Sequence, residues 1–234
     1  MRDALQAEFE TAREMQQQLV PPAVDVPGFR IESAYKPARQ VGGDFFFLRP
    51  EEQDGILLVV GDVSGKGLKA AMTVSAIIGA LRTMPTLPLP SVLGALNRGL
   101  VGQIQGGFVT CCAARIGRGG KVAIVNAGHL PPYRDGVEMP VATGLPLGID
   151  SSVEYEESEF TLPGEGSLTF VSDGVVEARN RSGELFGFER TAAISRQTAG
   201  KIAQAAQAFG QEDDITVLTI GFAPLEAIRA YGNS

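Results

Sequence analysis

Residues Ile56 to Val60 form an unbroken apolar run that passes through Gly61 straight into Asp62, then turns through Val63-Ser64-Gly65-Lys66-Gly67 into a second apolar stretch. A short aliphatic run of this kind predicts a strand buried on both faces. A carboxylate at its end lies at the rim of the core, where leaving it without a partner is costly. Something must be bound or paired at Asp62, and three other segments carry aspartates in similar settings.

Hydrophobic periodicity orders the rest of the chain. Leu5, Phe9, Ala12, Met15 and Leu19 fall at spacings of three and four, which predicts a helix over Asp3 to Val20, ended by Pro21-Pro22. That stripe suits either a helix packed on its own domain or one that pairs with a second copy or an upstream sensor domain. Gly28 to Ala38 and Phe45 to Arg49 read as strands, with Gly42-Gly43 bending the chain just before Asp44. Leu68 to Met84 is apolar nearly all round and is expected as a well-buried helix. Ser91 is the expected N-cap of a further helix running to Ile104. Phe108 to Ile116, Val122 to Asn126, Pro132 to Arg134, Val153 to Leu162, Ser167 to Ser172 and Ile215 to Phe222 read as strands. Helices are expected over Phe186 to Gln197 and Lys201 to Phe209, and a short one after Pro224. Many strands with helices grouped between them predict an α+β sandwich rather than a βαβ repeat.

Composition narrows the function classes. The formal charge of −7 argues against nucleic acid as a partner. No run reaches the roughly 18 apolar residues of a membrane-spanning helix, and the charged N-terminus lacks the apolar block of a signal peptide. The two cysteines, Cys111 and Cys112, are adjacent and would point to opposite faces of a strand, so no bridge and a reduced, cytoplasmic setting are expected. A single histidine is too few for the usual zinc sites.

Asp44 follows a glycine bend into a strand, Asp62 and Asp173 end apolar strands, and Asp213 and Asp214 open one. In antiparallel pairing the end of one strand lies beside the start of its neighbour, so these carboxylates can meet at one edge of the sandwich. Gathered without cations they would repel and take up protons. All-oxygen ligands favour Mg²⁺ or Mn²⁺, and a pair of such ions activates water and clamps phosphate oxygens. On spacing alone, separate turn and cap roles for the same aspartates stay open.

Five motifs occur in one order: Val41-Gly42-Gly43-Asp44; Gly61-Asp62-Val63-Ser64-Gly65-Lys66-Gly67 with Ala70-Ala71; Asn126-Ala127-Gly128-His129; Ser172-Asp173-Gly174-Val175-Val176-Glu177-Ala178; and Asp213-Asp214-Ile215-Thr216. Together they resemble the PPM-type (PP2C-like) metal-dependent serine/threonine phosphatases, in the bacterial branch typified by stage II sporulation protein E and the RsbU-like sigma-factor regulators. The Gln18-Leu19-Val20-Pro21 entry is similar to that branch as well.

The resemblance implies an αββα sandwich of two antiparallel sheets flanked by helices, with residues 1–22 as a linker or switch helix and 23–234 as the phosphatase domain. It implies two Mn²⁺ or Mg²⁺ ions at one end, with Asp62 bridging both. The Val63 carbonyl would bind the first ion, Asp173 and Asp213 the second, and Asp44 would ligate directly or through water. Of the adjacent pair, Asp213 is favoured as ligand and Asp214 as structural. The implied reaction is attack by metal-bound hydroxide on a phosphoserine or phosphothreonine of a signalling protein, such as an anti-sigma-factor antagonist. Implied partners are that phosphoprotein, an upstream sensor or activator, and a second copy through the N-terminal helix. The alternative is a catalytically weak relative that holds partner proteins.

The chain departs from the branch at Phe47, where Gly-Gly-Asp-x-x-Asp would place an acid. In a regular strand positions 44 and 47 face opposite ways, so that carboxylate is not expected among direct ligands to the same pair. His129 reads as a hydrogen-bonded turn anchor. Lys36, Arg39 and Lys66 read as solvated cations, with a phosphate-holding role as the other option. The Gly61-to-Gly67 loop lacks the spacing and the Ser or Thr of a nucleotide-binding P-loop.

Overall fold

A computed structural model describes residues 26–38, 41–51, 55–104, 106–117, 119–162 and 165–222. The helices expected over Asp3 to Val20 and after Pro224, and Arg39, lie outside the described residues.

The strands form two sheets. The first runs β1 (Phe29–Lys36), β11 (Ile215–Phe222), β10 (Gly166–Val171), β6 (Tyr133–Arg134), β7 (Val137–Glu138). The second runs β2 (Asp44–Glu51), β3 (Gly55–Val63), β4 (Val109–Gly117), β5 (Lys121–Ala127), with β8 (Thr143–Gly144) and β9 (Glu157–Thr161) both on the far edge of β5. Among the described strands the pairings are antiparallel except β5 with β8.

The apolar run that constrains the chain is the centre of the second sheet, and its two faces go to different cores. Leu57 and Val59 pack with Ile77, Ile78 and Leu93 of helices α1 (Leu68–Thr83) and α2 (Leu89–Leu100). Ile56, Leu58 and Val60 pack with Phe170, Leu218 and Ile220 of the other sheet. The far side of that sheet, through Val171, Ile215 and Val217, is covered by α3 (Asp173–Val176), α4 (Gly187–Ile194) and α5 (Ala199–Gly210). The result is four layers, helix–sheet–sheet–helix, as expected. Each fully buried aliphatic side chain in these layers contributes about 1.5–3 kcal/mol. Cys111 and Cys112 are free, buried, and divided between the helix-side core and the core between the sheets.

Several local expectations are corrected. The second helix begins at Leu89, not after Ser91, with Pro88 as N-cap and Pro90 inside the first turn. Proline lacks an amide that the first turn could not use anyway. It ends at Leu100 rather than Ile104, and Gly102 takes positive φ beyond it. The Val153–Leu162 segment is strand only over Glu157–Thr161. α1 is not buried all round: Leu68 is 49% and Met72 65% exposed, and Ala76, Gly79 and Ala80 face outward with them. Small residues supply apolar composition without requiring a second layer to cover them.

Candidate metal centre

β2 and β3 are paired so that Asp44 stands opposite Asp62. Cross-strand partners leave the same face of a sheet, and two residues further in Phe46 and Val60 point into the core between the sheets. Both carboxylates therefore sit at the open end of that core. Asp173 reaches the same end from the other sheet, one residue past Ser172, which follows β10. Instead of ending a strand it opens the short helix α3. One oxygen from each of Asp44, Asp62 and Asp173 lies within 4.8 Å of the other two.

Gly43 shapes the floor. A Cβ built there would lie 2.6 Å from the Val63 carbonyl oxygen and 2.8 Å from Asp62 Oδ1. Only glycine leaves both oxygens that space, and the Val63 amide in turn donates to the Gly43 carbonyl at 3.1 Å. Gly174 is confined too: a Cβ there would come within 1.9 Å of the Asp214 carbonyl oxygen. The start of β11 thus passes directly against α3.

The two aspartates that precede β11 do different things. Asp214 is buried, and its carboxylate accepts from the Ala38 amide (2.8 Å) and the Gly43 amide (3.0 Å). It fastens the end of β1 and the glycine bend to β11. Asp213 is half-exposed, and its Oδ2 accepts from Lys66 Nζ at 2.6 Å. Asp213 is outside the close group of three, although its charge is felt by Asp62 and Asp173.

Unneutralised crowding marks the group. Burial and then the Asp62 charge hold the Asp44 carboxyl well above the ordinary carboxylate range. Burial, then Asp173, Asp213 and Asp214, push Asp62 up to about 7. Asp173 is raised by burial and by Glu177 and Asp213. The donors fit a hard divalent cation. They are all oxygens, which suits Mg²⁺ or Mn²⁺. Opposite oxygens around octahedral Mg²⁺ are about 4.2 Å apart, so a 4.8 Å group closes on one ion with small side-chain movement.

Residues without an assigned role in the sequence reading support the acids. Thr216 Oγ1 donates to Asp44 Oδ2 at 2.6 Å from across the two sheets. The Ser172 hydroxyl accepts from the Thr216 amide (3.0 Å) and donates to the Asp214 carbonyl (3.1 Å), latching β10 to β11. Thr216 closes the last of the five motifs, but only the opposed sheets reveal its partner. His129 is an anchor: its amide donates to Asn126 Oδ1 and its carbonyl accepts from Asn126 Nδ2, both at 2.8 Å. Its ring, neutral with a pKa lowered by burial to about 4, donates to the Val171 backbone, and Nδ1 lies 3.1 Å from Thr110 Oγ1. Thr110 is the β4 partner of Asp62. Phe47 points away from all of these, into the helix-side core.

Residues 52–223 match the stage II sporulation protein E (SpoIIE) family. Among curated proteins the chain is 29% identical over 197 residues to the phosphoserine phosphatase RsbU of Bacillus subtilis (strain 168), covering 79% of this chain and 58% of RsbU. It is 24% identical to the protein IcfG of Synechocystis, covering 78% of this chain and 34% of IcfG. The chain thus spans about three-fifths of the first relative and a third of the second. Among solved structures, the SiaA-PP2C domain of Pseudomonas aeruginosa superposes with a TM-score of 0.76 at 21% identity, covering 95% of this chain and 98% of that one. The RsbU and RsbW domains of Rv1364c from Mycobacterium tuberculosis give 0.69 at 26% identity, covering 85% of this chain and 61% of that one. The matched segment holds Asp62, Asp173 and Asp213, the two-sheet architecture is shared with the solved structures, and the chain belongs to the stage II sporulation protein E family.

Proposed function

We propose that the chain is a Mn²⁺- or Mg²⁺-dependent phosphatase that hydrolyses phosphoserine or phosphothreonine on a signalling protein. The observation that carries this reading is the convergence of Asp44, Asp62 and Asp173, from three separate segments, to within 4.8 Å at the mouth of the inter-sheet core. Asp62 would be shared by two ions, the Val63 carbonyl would hold the first, Asp173 and Asp213 the second, and Asp44 would ligate directly or through water. When bound, such ions lower the pKa of a coordinated water and neutralise phosphate charge.

The chain's own residues supply the rest. Thr216 donates to Asp44 and favours its ionised form. Asp214, engaged by two backbone amides, sets the position of the bend that carries Asp44 and leaves ligation to Asp213. His129, low in pKa and turned into the fold, holds Thr110 beneath Asp62 and takes no part in proton transfer.

The substrate class is supported by the likeness to RsbU, a phosphoserine phosphatase, and by a structural relative that contains RsbU and RsbW domains. An anti-sigma-factor antagonist is the phosphoprotein we propose. We further propose that residues 1–22 form a switch helix that couples the domain, from residue 23 onward, to a sensor, an activator or a second copy. Sedimentation of the chain with and without those residues, alongside activity, tests that arrangement.

The decisive assay is hydrolysis of an aryl phosphate and of a phosphoserine peptide across Mn²⁺, Mg²⁺ and chelator. Turnover should require the divalent ion and vanish in Asp62→Asn with the fold retained. Undiminished turnover in that variant sinks the proposal. Binding of a partner protein without any turnover or Mn²⁺ uptake would instead identify a non-catalytic module.

A further inference from the structure

The Lys66–Asp213 contact has a geometry that the metal reading leaves unused. Lys66 lies between Gly65 (φ 99°) and Gly67 (φ 81°), and neither glycine has any neighbour within 4 Å of where a Cβ would stand. Both ends of this three-residue span are held. Ser64 is latched to Phe108, its amide donating to the Phe108 carbonyl at 2.9 Å and its Oγ accepting from the Phe108 amide at 2.8 Å. On the other side α1 starts at Leu68. Gly65 and Gly67 stand in open space between held ends, the Gly67 carbonyl capping α1 by accepting from the Ala71 amide at 3.1 Å, so the Lys66 side chain has room to swing while its neighbours stay.

Lys66 occupies the one place where such movement matters. Its ammonium sits 2.6 Å from Asp213 Oδ2, with both side chains 42% exposed. An ion pair this open to water is held by a small preference over the separated state. Asp213 itself does not depend on it, since its Oδ1 also accepts from the Asp214 amide at 2.9 Å. On its other side Lys66 borders a cleft of about 310 Å³, together with Ser64, Lys69 and Thr73, which begins at Val63 beside the acidic group. Two lysines and the Ser64 hydroxyl around a cleft at a phosphatase site suit a phosphoryl dianion, while the Thr73 hydroxyl is committed to the Lys69 carbonyl at 3.1 Å.

We infer that Lys66 is an exchangeable cation: it neutralises Asp213 until a divalent ion takes that carboxylate, and then turns to the phosphoryl group of the substrate in the adjoining cleft. This rests on the phosphatase reading above and adds an order of events. The carboxylate is not left bare before the metal arrives, and the ammonium that faces substrate is released only in the loaded site. Affinity for a phosphorylated ligand is thereby tied to metal occupancy.

Amine acetylation of the whole chain, read by mass spectrometry at Lys66 with the exposed Lys201, away from the cleft, as internal reference, tests this. Saturating Mg²⁺ should raise acetylation of Lys66 several-fold relative to Lys201. Asp213→Asn should give the raised level without Mg²⁺. Inorganic phosphate added to the Mg²⁺-loaded protein should bring Lys66 down again. Lys66 reactivity that is flat or lower with Mg²⁺ overturns the exchange. A rise that phosphate does not reverse overturns the transfer to substrate. Metal-dependent hydrolysis with a flat Lys66 footprint rejects this inference alone. A metal-induced rise without any hydrolysis rejects the phosphatase reading and keeps the exchange.

Discussion

Asp44 and Asp62 are cross-strand partners at the last pair of the β2–β3 ladder, two carboxylates facing each other where a sheet ordinarily places opposite charges or apolar pairs. Like charges directly opposite are destabilising, and burial removes the water that would screen them. Without a divalent ion the fold would tolerate the pair by keeping protons on it. That has a measurable consequence for stability.

Asp62, pushed up to about 7, holds its proton in the folded chain over a range in which an unfolded carboxyl, near about 4, has lost it. Folding takes up a proton there, so stability falls as pH rises from about 4 to about 7 and levels off above. His129, lowered to about 4, acts oppositely: the unfolded chain gains a proton that the fold excludes, and stability is lost as pH falls below about 6.5. Above that point the slope belongs to Asp62 together with its partner Asp44, which is held up partly by the Asp62 charge. In chelator, the melting temperature should drop between pH 6.5 and pH 8 by a few degrees, since about 1 kcal/mol moves a chain of this size by about 2–4 °C. Asp62→Asn should melt higher than the parent at pH 8 in chelator, and saturating Mn²⁺ should abolish the drop in the parent. A drop that persists undiminished in Asp62→Asn counts against this account.

The adjacent aspartates should separate cleanly. Asp214→Ala strips the acceptor from the Ala38 and Gly43 amides and should cost about 2–4 kcal/mol in urea unfolding. Asp213→Ala breaks a half-exposed ion pair and the bond its Oδ1 accepts from the Asp214 amide, costs about 1–2 kcal/mol, and should weaken Mn²⁺ binding in calorimetry. The reverse pattern would exchange their roles.

Thr216→Val removes the hydroxyl that donates to Asp44 Oδ2 while keeping shape and the backbone bond to Ser172. Groups that orient a ligand in this way are worth roughly 10–100-fold in metal affinity. Mn²⁺ affinity should fall at least about tenfold with the circular dichroism spectrum unchanged. Equal affinity in the variant would mean that Asp44 needs no such partner.

Much of this was legible in the sequence because strand periodicity is strict. The run Ile56 to Val60 located the central strand, and the period of two assigned Asp44 and Phe47 to opposite faces, as observed. Contacts across the sandwich were not legible. Thr216 meets Asp44 172 residues away in sequence, and no local pattern encodes which sheet edge lies opposite. Asp214 bonds backbone amides, which leave no side-chain signature. The outward face of α1 was misread because Ala and Gly score as apolar yet tolerate exposure. The start of α2 was misread because Ser91 is a good cap in isolation, while Pro88-Leu89-Pro90 already fits a first turn.

Phe47 invites a repair that should fail. Restoring the acid of the bacterial branch by Phe47→Asp looks like a gain of a ligand, but the side chain at 47 lies among Phe45, Leu57 and Val59 under the helices, 6% exposed. The substitution removes a large apolar group, worth about 3–5 kcal/mol on truncation, and sets an unpaired carboxylate in its place. Its pKa would rise until it buried itself neutral, with no path to Asp62 on the other face of the sheet. Phe47→Asp should therefore unfold at markedly lower urea and show no tighter Mn²⁺ binding wherever it remains folded. Phe47→Leu, which keeps the apolar contact, should bind Mn²⁺ like the parent. Tighter binding in Phe47→Asp would show that β2 departs from a regular strand when the site is loaded, and would bring position 47 back among the ligands.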